Sequence, residues 1–222
     1  MQRRFAIGDV HGCAKTLEKL LNEIGISASD EVFFVGDYVD RGPGSKEVVD
    51  LLMALTEKGY KLGLVKGNHE HLMINSTRGR NEMELWMKNG GGATLSSFGV
   101  SSYNELDEKY FRFFQGLSYY FQTDDFYIVH AGFDFRKKDF LSDTDAMMWI
   151  RYYEADAKKL GGRRIIHGHT PLYLGEIKSL ITSNDPAIDI DNGCCYKHMS
   201  GFGSLCCLNL DTMELCAVGN VE

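Results

Sequence analysis

Apolar residues in the first third of the chain follow two alternating rhythms. Short β-branched and aromatic runs, from Arg4 to Ile7, from Val32 to Val35 and from Tyr60 to Val65, have the length and make-up of buried strands. Between them the apolar positions recur at helical spacing. Ala14, Leu17, Leu20, Leu21 and Ile24 share one face, with Lys15, Glu18, Lys19 and Glu23 opposite, and Gly25 can close that helix. Val48, Leu51, Leu52 and Leu55 predict a second helix from Ser45 to Lys58, ended by Gly59. Each strand runs into a polar loop containing glycine: Gly8-Asp9-Val10-His11-Gly12, Gly36-Asp37-Tyr38-Val39-Asp40-Arg41-Gly42 and Lys66-Gly67-Asn68-His69-Glu70. This alternation predicts an α/β sheet with all three loops on one edge.

The middle of the chain reads as helical at Glu82–Lys88 and Tyr103–Gln115, with Gly90-Gly91-Gly92 predicting a loop between them. From Tyr119 the pattern turns to β. Tyr119–Gln122 and Phe126–Val129 predict a hairpin around Asp124-Asp125, and Arg164–Ile166, Ile188–Ile190, Ser204–Leu210 and Glu214–Val218 predict further strands. The strand Phe126–Val129 ends in His130-Ala131-Gly132, and Arg164–Ile166 ends in His167-Gly168-His169-Thr170. Five strand ends thus finish in a His, Asp or Asn beside glycine.

Composition narrows the class. The 222 residues hold three prolines, no repeat and no low-complexity linker, which favours a single domain over 1–222. A formal charge of −7 argues against a general nucleic-acid partner, because phosphate backbones are held by basic surface. No apolar run has membrane-spanning length, and the N-terminal one is too short for a signal segment. The six cysteines include adjacent pairs in apolar segments and read as reduced, packed thiols, so a cytoplasmic location is expected.

The strand-end residues Asp9, His11, Asp37, Asn68, His130 and His169 form a hard-to-borderline donor set suited to Mn²⁺, with Fe or Zn²⁺ as alternatives. Six donors are too many for one catalytic ion that keeps an open position. They suit two ions about 3.5–4 Å apart, with Asp37 as the natural bridge. Arg41 can neutralise phosphate oxygens, and His69, oriented by Asp40, can protonate a leaving alkoxide. Single histidines are more often structural, which is the reading for His71, His167 and His198, and Asp189 and Asp191 are read likewise. Asp134, Asp139, Asp143 and Asp145 read as a solvated rim.

Taken in order, Gly8-Asp9-Val10-His11-Gly12, Gly36-Asp37-Tyr38-Val39-Asp40-Arg41-Gly42, Gly67-Asn68-His69-Glu70, His130-Ala131-Gly132 and His167-Gly168-His169-Thr170 resemble the calcineurin-like metallophosphoesterases. The resemblance is narrower to the phosphoprotein phosphatase branch and its compact bacterial and phage lambda-type members. It implies a four-layer α/β sandwich, two mixed sheets flanked by helices. It also implies one metal on Asp9, His11 and Asp37, and the other on Asp37, Asn68, His130 and His169. Asp40 and His69 match the acid pair, and Asn68, Arg41 and Arg151, the last in a Trp-x-Arg stretch, match substrate-phosphate contacts. Trp86, Asn89-Gly90-Gly91 and Thr94 match a region over the active site, and Glu70 a structural hydrogen-bonding position. The implied activity is metal-dependent phosphomonoester hydrolysis by direct attack of a metal-bridging hydroxide. The implied substrate is a phosphoprotein dephosphorylated at serine or threonine, or a small phosphate ester. The alternatives are a symmetrical dinucleoside tetraphosphate hydrolase and a non-catalytic scaffold of the same fold.

Overall fold

The structure, a computed structural model, describes residues 2–222. Three strands, β1 (Arg4–Ile7), β2 (Glu31–Phe34) and β3 (Lys61–Leu64), pair in parallel, with helices α1 (Ala14–Ile24) and α2 (Ser45–Glu57) as the crossovers. Four helices follow: α3 (Asn68–Asn75), α4 (Arg80–Lys88), α5 (Gly91–Phe98) and α6 (Glu108–Gln115). The second half contains β4 (Tyr120–Gln122), β5 (Phe126–Val129), α7 (Thr144–Trp149), α8 (Ala157–Leu160), β6 (Arg164–His167), α9 (Leu174–Thr182), β7 (Ala187–Asp189), β8 (Ser204–Asn209) and β9 (Leu215–Gly219).

The strands form two mixed sheets, ordered β3-β2-β1-β8-β9 and β4-β5-β6-β7. In the first, β8 runs antiparallel to β1, with Phe5 opposite Asn209 and Ile7 opposite Cys207. Strand alternation sorts the side chains into layers. Ala6, Phe33 and Val35 face the second sheet and pack with Ile128, Ile166 and Ile188. Phe5, Ile7, Val32 and Phe34 face the other way, onto Leu17, Leu20, Val48 and Leu52 of α1 and α2. A third cluster, including Val129, Phe133, Phe140, Met147 and Ile165, covers the far face of the second sheet. The result is the expected four-layer arrangement. Truncating a fully buried position such as Leu52 to alanine would cost about 2–5 kcal/mol.

Three expectations change. Of Gly90-Gly91-Gly92 only Gly90 forms a turn, at φ 103°, and α5 starts at Gly91. Gly91 lies against the Trp86 ring, where a Cβ would come within 2.6 Å of Cδ2, so this glycine permits close packing inside a helix. The predicted Tyr103–Gln115 helix is broken, because Leu106 and Asp107 are extended and only Glu108–Gln115 is α-helical. Finally, the loop after β3 contributes just a short lead before Asn68 opens α3.

Candidate active site

Among the described residues seven non-glycine positions have positive φ. Five of them are His11 (46°), Asp37 (50°), Asp40 (71°), Arg41 (68°) and His169 (77°), all singled out by the sequence reading. Each such conformation costs on the order of 1–3 kcal/mol and survives only where the surroundings over-determine it. Here they do. The amides of Val10 and His11 donate to the Asp37 carbonyl at 3.2 and 2.8 Å, and Gly12 donates to that of Tyr38 at 2.8 Å. The buried Glu70 carboxylate, in the first turn of α3, accepts from the amides of Asp37 (3.1 Å), Tyr38 (2.8 Å), Val39 (3.3 Å) and Gly67 (2.9 Å). Burial, reinforced by the Asp37 carboxylate, pushes the Glu70 carboxyl up to about 8. Gly67 and Gly168 have no room for a side chain, since a Cβ there would overlap Asp37 Oδ1 or Asp9 Oδ1 respectively.

Backbone carbonyls set the imidazoles. His130 Nδ1–H donates to the Val35 carbonyl at 3.0 Å, so Nε2 presents a lone pair. That Nε2 stands 2.8 Å from Asn68 Oδ1 and 3.1 Å from His169 Nδ1, and the latter two atoms are 3.0 Å apart. His11 Nδ1–H likewise donates to the Val39 carbonyl at 2.9 Å and turns Nε2 inward. Asp37 Oδ1 accepts from the His69 amide at 3.0 Å. Its Oδ2 lies 3.4 Å from His11 Nε2, 3.5 Å from His130 Nε2 and 3.9 Å from His69 Nε2. Burial lowers the pKa of His11 and His130, and takes His169 down to about 3, which leaves these rings neutral, the form that binds metal.

Two buried groups of potential ligand atoms result, His11 with Asp37 and His69, and Asp37 with His130 and His169. Asp37 belongs to both. Asp9 stands beside these groups. Its Oδ2 accepts from the His169 amide at 3.1 Å, and its Oδ1, like His169 Nε2, is buried without a hydrogen-bond partner among the described residues. Burial, then the carboxylates of Asp191, Asp37 and Asp189, hold the Asp9 carboxyl well above the usual range. Lone pairs of Asn68 and His130 face one another at hydrogen-bond distance beside several buried acids. Such a donor set fits divalent cations.

Around this centre, Asp40 is clamped from three sides. Trp86 Nε1–H donates to both its oxygens at 3.0 Å, Thr94 Oγ1 to Oδ1 at 2.6 Å, and His69 Nδ1 to Oδ2 at 2.7 Å. Burial opposes charge on His69, yet Asp37 and Asp40 outweigh it and raise its pKa. Arg41 points inward, Nη1 2.7 Å from His11 Nε2, with its guanidinium over the Tyr196 ring at 5.4 Å. Arg151 is at the exposed rim and donates to Thr170 Oγ1 at 3.3 Å. His71, His167 and His198 lie outside both groups. Asp189 and Asp191 are buried and brace the backbone, accepting from the amides of Asp191 and Gly193 at 2.8 and 2.6 Å. Asp134 and Asp143 pair with Arg136 and Lys137. The orienting carbonyls of Val35 and Val39 were invisible in the sequence, since main-chain acceptors leave no residue signature.

Comparison with known proteins fits this geometry. Residues 3–198 match the family described as calcineurin-like phosphoesterase. The chain is 27% identical to the asymmetrical bis(5'-nucleosyl)-tetraphosphatase PrpE of Oceanobacillus iheyensis, an alignment covering 86% of this chain and 83% of that protein. A shorter match, 34% identical over 88 residues, covers 39% of this chain and 38% of serine/threonine-protein phosphatase 1 of Salmonella typhimurium. Among solved structures, one assigned as a candidate diadenosine tetraphosphatase superposes with a TM-score of 0.69 at 20% identity, covering 99% of this chain and 94% of the other. No helix of the described residues is long and apolar enough to cross a membrane. From its buried ligand groups, its fold and these matches, the chain belongs to the calcineurin-like phosphoesterase family.

Proposed function

We propose that this chain is a two-metal phosphoesterase acting on dinucleoside polyphosphates. The observation that carries the chemistry is the convergence of Asn68 Oδ1, His130 Nε2 and His169 Nδ1 on one side of Asp37 and His11 on the other. In this reading Asp9, His11 and Asp37 hold one ion, and Asp37, Asn68, His130 and His169 the other. When bound, the two ions supply Lewis acidity at phosphorus and lower the pKa of a water. Arg41, Asn68 and Arg151 bind and orient the phosphate oxygens. Asp40 keeps the Nδ1 proton of His69 in place, so that Nε2 delivers a proton to the leaving oxygen.

The substrate class rests on the relative matched across most of both chains, whose printed name is that of a nucleosyl tetraphosphatase. The match to the serine/threonine-protein phosphatase is confined to 39% of the chain, and it supports phosphoprotein hydrolysis as the second reading. The test is metal-dependent turnover of diadenosine tetraphosphate, a phosphoserine peptide and p-nitrophenyl phosphate by chelator-stripped protein resupplied with Mn²⁺. A higher kcat/KM on the dinucleotide is expected, and its products separate cleavage to two diphosphates from cleavage to a tri- and a monophosphate. A higher kcat/KM on the phosphopeptide would replace the first reading with the second.

A further inference from the structure

On β6 and β7 the residues that face away from the sheet–sheet core are Ile165 and His167, and Ala187 and Asp189. The register sets His167 directly beside Asp189 at the carboxyl edge. His167, Ala187 and Asp189, together with Tyr153, Arg151 and Leu172, line a cavity of about 380 Å³, large enough for part of a nucleotide. Tyr153, Leu172, Ala187 and Asp189 belong to none of the motifs that carry the family resemblance. Ala131 and Thr170, next to His130 and His169, also line it, so it abuts the metal-ligand loops.

Its polar groups are placed as a recognition site would need them. Asp189 is only 4% exposed; Oδ1 accepts from the Asp191 amide. Oδ2 is 3.6 Å from His167 Nδ1, beyond hydrogen-bond reach, and among the described residues it has no closer partner. The Tyr153 hydroxyl is buried with no hydrogen-bond partner among the described residues. The Tyr153 ring sits over Gly132, which has no room for a Cβ, and 6.0 Å from the His167 ring. A buried hydroxyl left unpaired is costly, and a ligand that bonds it would recover that cost.

We propose that this cavity receives the nucleobase of the substrate, with Tyr153 and Asp189 reading its polar edge while Arg151 holds the adjoining phosphate. The proposal deepens the dinucleotide reading above and rests on it. A planar heterocycle suits a cavity that sets aromatic rings and apolar side chains beside a few polar groups.

The test uses Tyr153→Phe, which removes an atom without a partner, and Asp189→Asn, which retains the oxygen that braces Asp191. For each, kcat and KM are measured on diadenosine tetraphosphate and on p-nitrophenyl phosphate with Mn²⁺, and folding is checked by melting temperature. The ratio of kcat/KM between dinucleotide and aryl phosphate is expected to fall about tenfold or more, through KM. An unchanged ratio, or an equal fall on both substrates, overturns the nucleobase site while leaving the dinucleotide reading intact. If the wild type does not cleave the dinucleotide, that reading fails separately, and inhibition of aryl phosphate hydrolysis by adenosine 5'-monophosphate against inorganic phosphate decides the site. Tighter inhibition by the nucleotide that Tyr153→Phe abolishes sustains the site, and equal inhibition overturns it.

Discussion

Asp30 enters β2 and Asp37 leaves it, and the protein surrounds these two buried aspartates differently. Asp30 accepts hydrogen bonds from the backbone and side chains of Arg3 and Ser27, including a 2.7 Å contact with Arg3 Nη2. Those bonds, Arg3 foremost, hold its carboxyl well below the usual range. Asp37 instead sits at positive φ, with Oδ2 turned to three imidazoles, and its neighbour Asp9 faces further acids. The amino edge of the sheet satisfies its charge from within the chain. The carboxyl edge gathers strain and unpaired donors that suit an incoming cation. Stability and reactivity are therefore separated along four residues of strand.

Asp37→Asn should break the second half of this contrast most strongly. It removes charge from the position shared by both ligand groups, and kcat/KM with Mn²⁺ should fall by about 10³-fold or more, with the far-ultraviolet circular dichroism unchanged. Normal turnover would mean that Asp37 bridges nothing. Next in size, His69→Asn should lower kcat by roughly 10²–10⁴-fold on an alkyl phosphate and by much less on p-nitrophenyl phosphate, whose leaving group needs no proton. Equal losses on the two would point away from His69 as the acid.

The other half is tested at the amino edge. Asp30→Asn should destabilise the fold by about 1–3 kcal/mol in denaturant titration without changing turnover. Because the folded pKa of Asp30 is depressed, its contribution is complete above the unfolded value of about 3.9 and is lost as pH falls below it. The stability gap between wild type and variant should accordingly stay constant from neutral pH to about 5 and close under more acid conditions. A gap that widened with acid would reverse the assignment. The smallest effect is expected for Asp9→Asn in chelator. Relieving the burial of this acid and its repulsion from Asp191, Asp37 and Asp189 should raise the melting temperature by about 2–4 °C while activity with metal drops.

Much of this arrangement was legible in the sequence where apolar periodicity ran directly into a polar glycine loop, as at Asp9, Asp37 and Asn68. The helices that were not read differ in kind. The first turn of α3 buries Asn68, His69 and Glu70, so no apolar stripe marked it. In α9 the spacing of Leu174, Ile177 and Ile181 is present, but it lies in a stretch to which the sequence pattern assigned no element. Gly91 looked like a breaker because a sequence does not show that Trp86 fills the space beside it. The site residues came from their types and order. Their left-handed backbones, the four amides bound to Glu70 and the carbonyls that aim His11 and His130 are products of tertiary packing.

The pairing of β8 with β1 also governs how the chain is made. The hydrogen-bonding edge of Ile7 finds its partner at Cys207, 200 residues later. At about 5–20 residues per second, a ribosome would leave that edge bare for about 10–40 s. During synthesis, then, the strand that delivers Asp9 is an open template for a neighbouring nascent chain, and yield should depend on translation speed and chaperone supply before it depends on the stability of the finished fold.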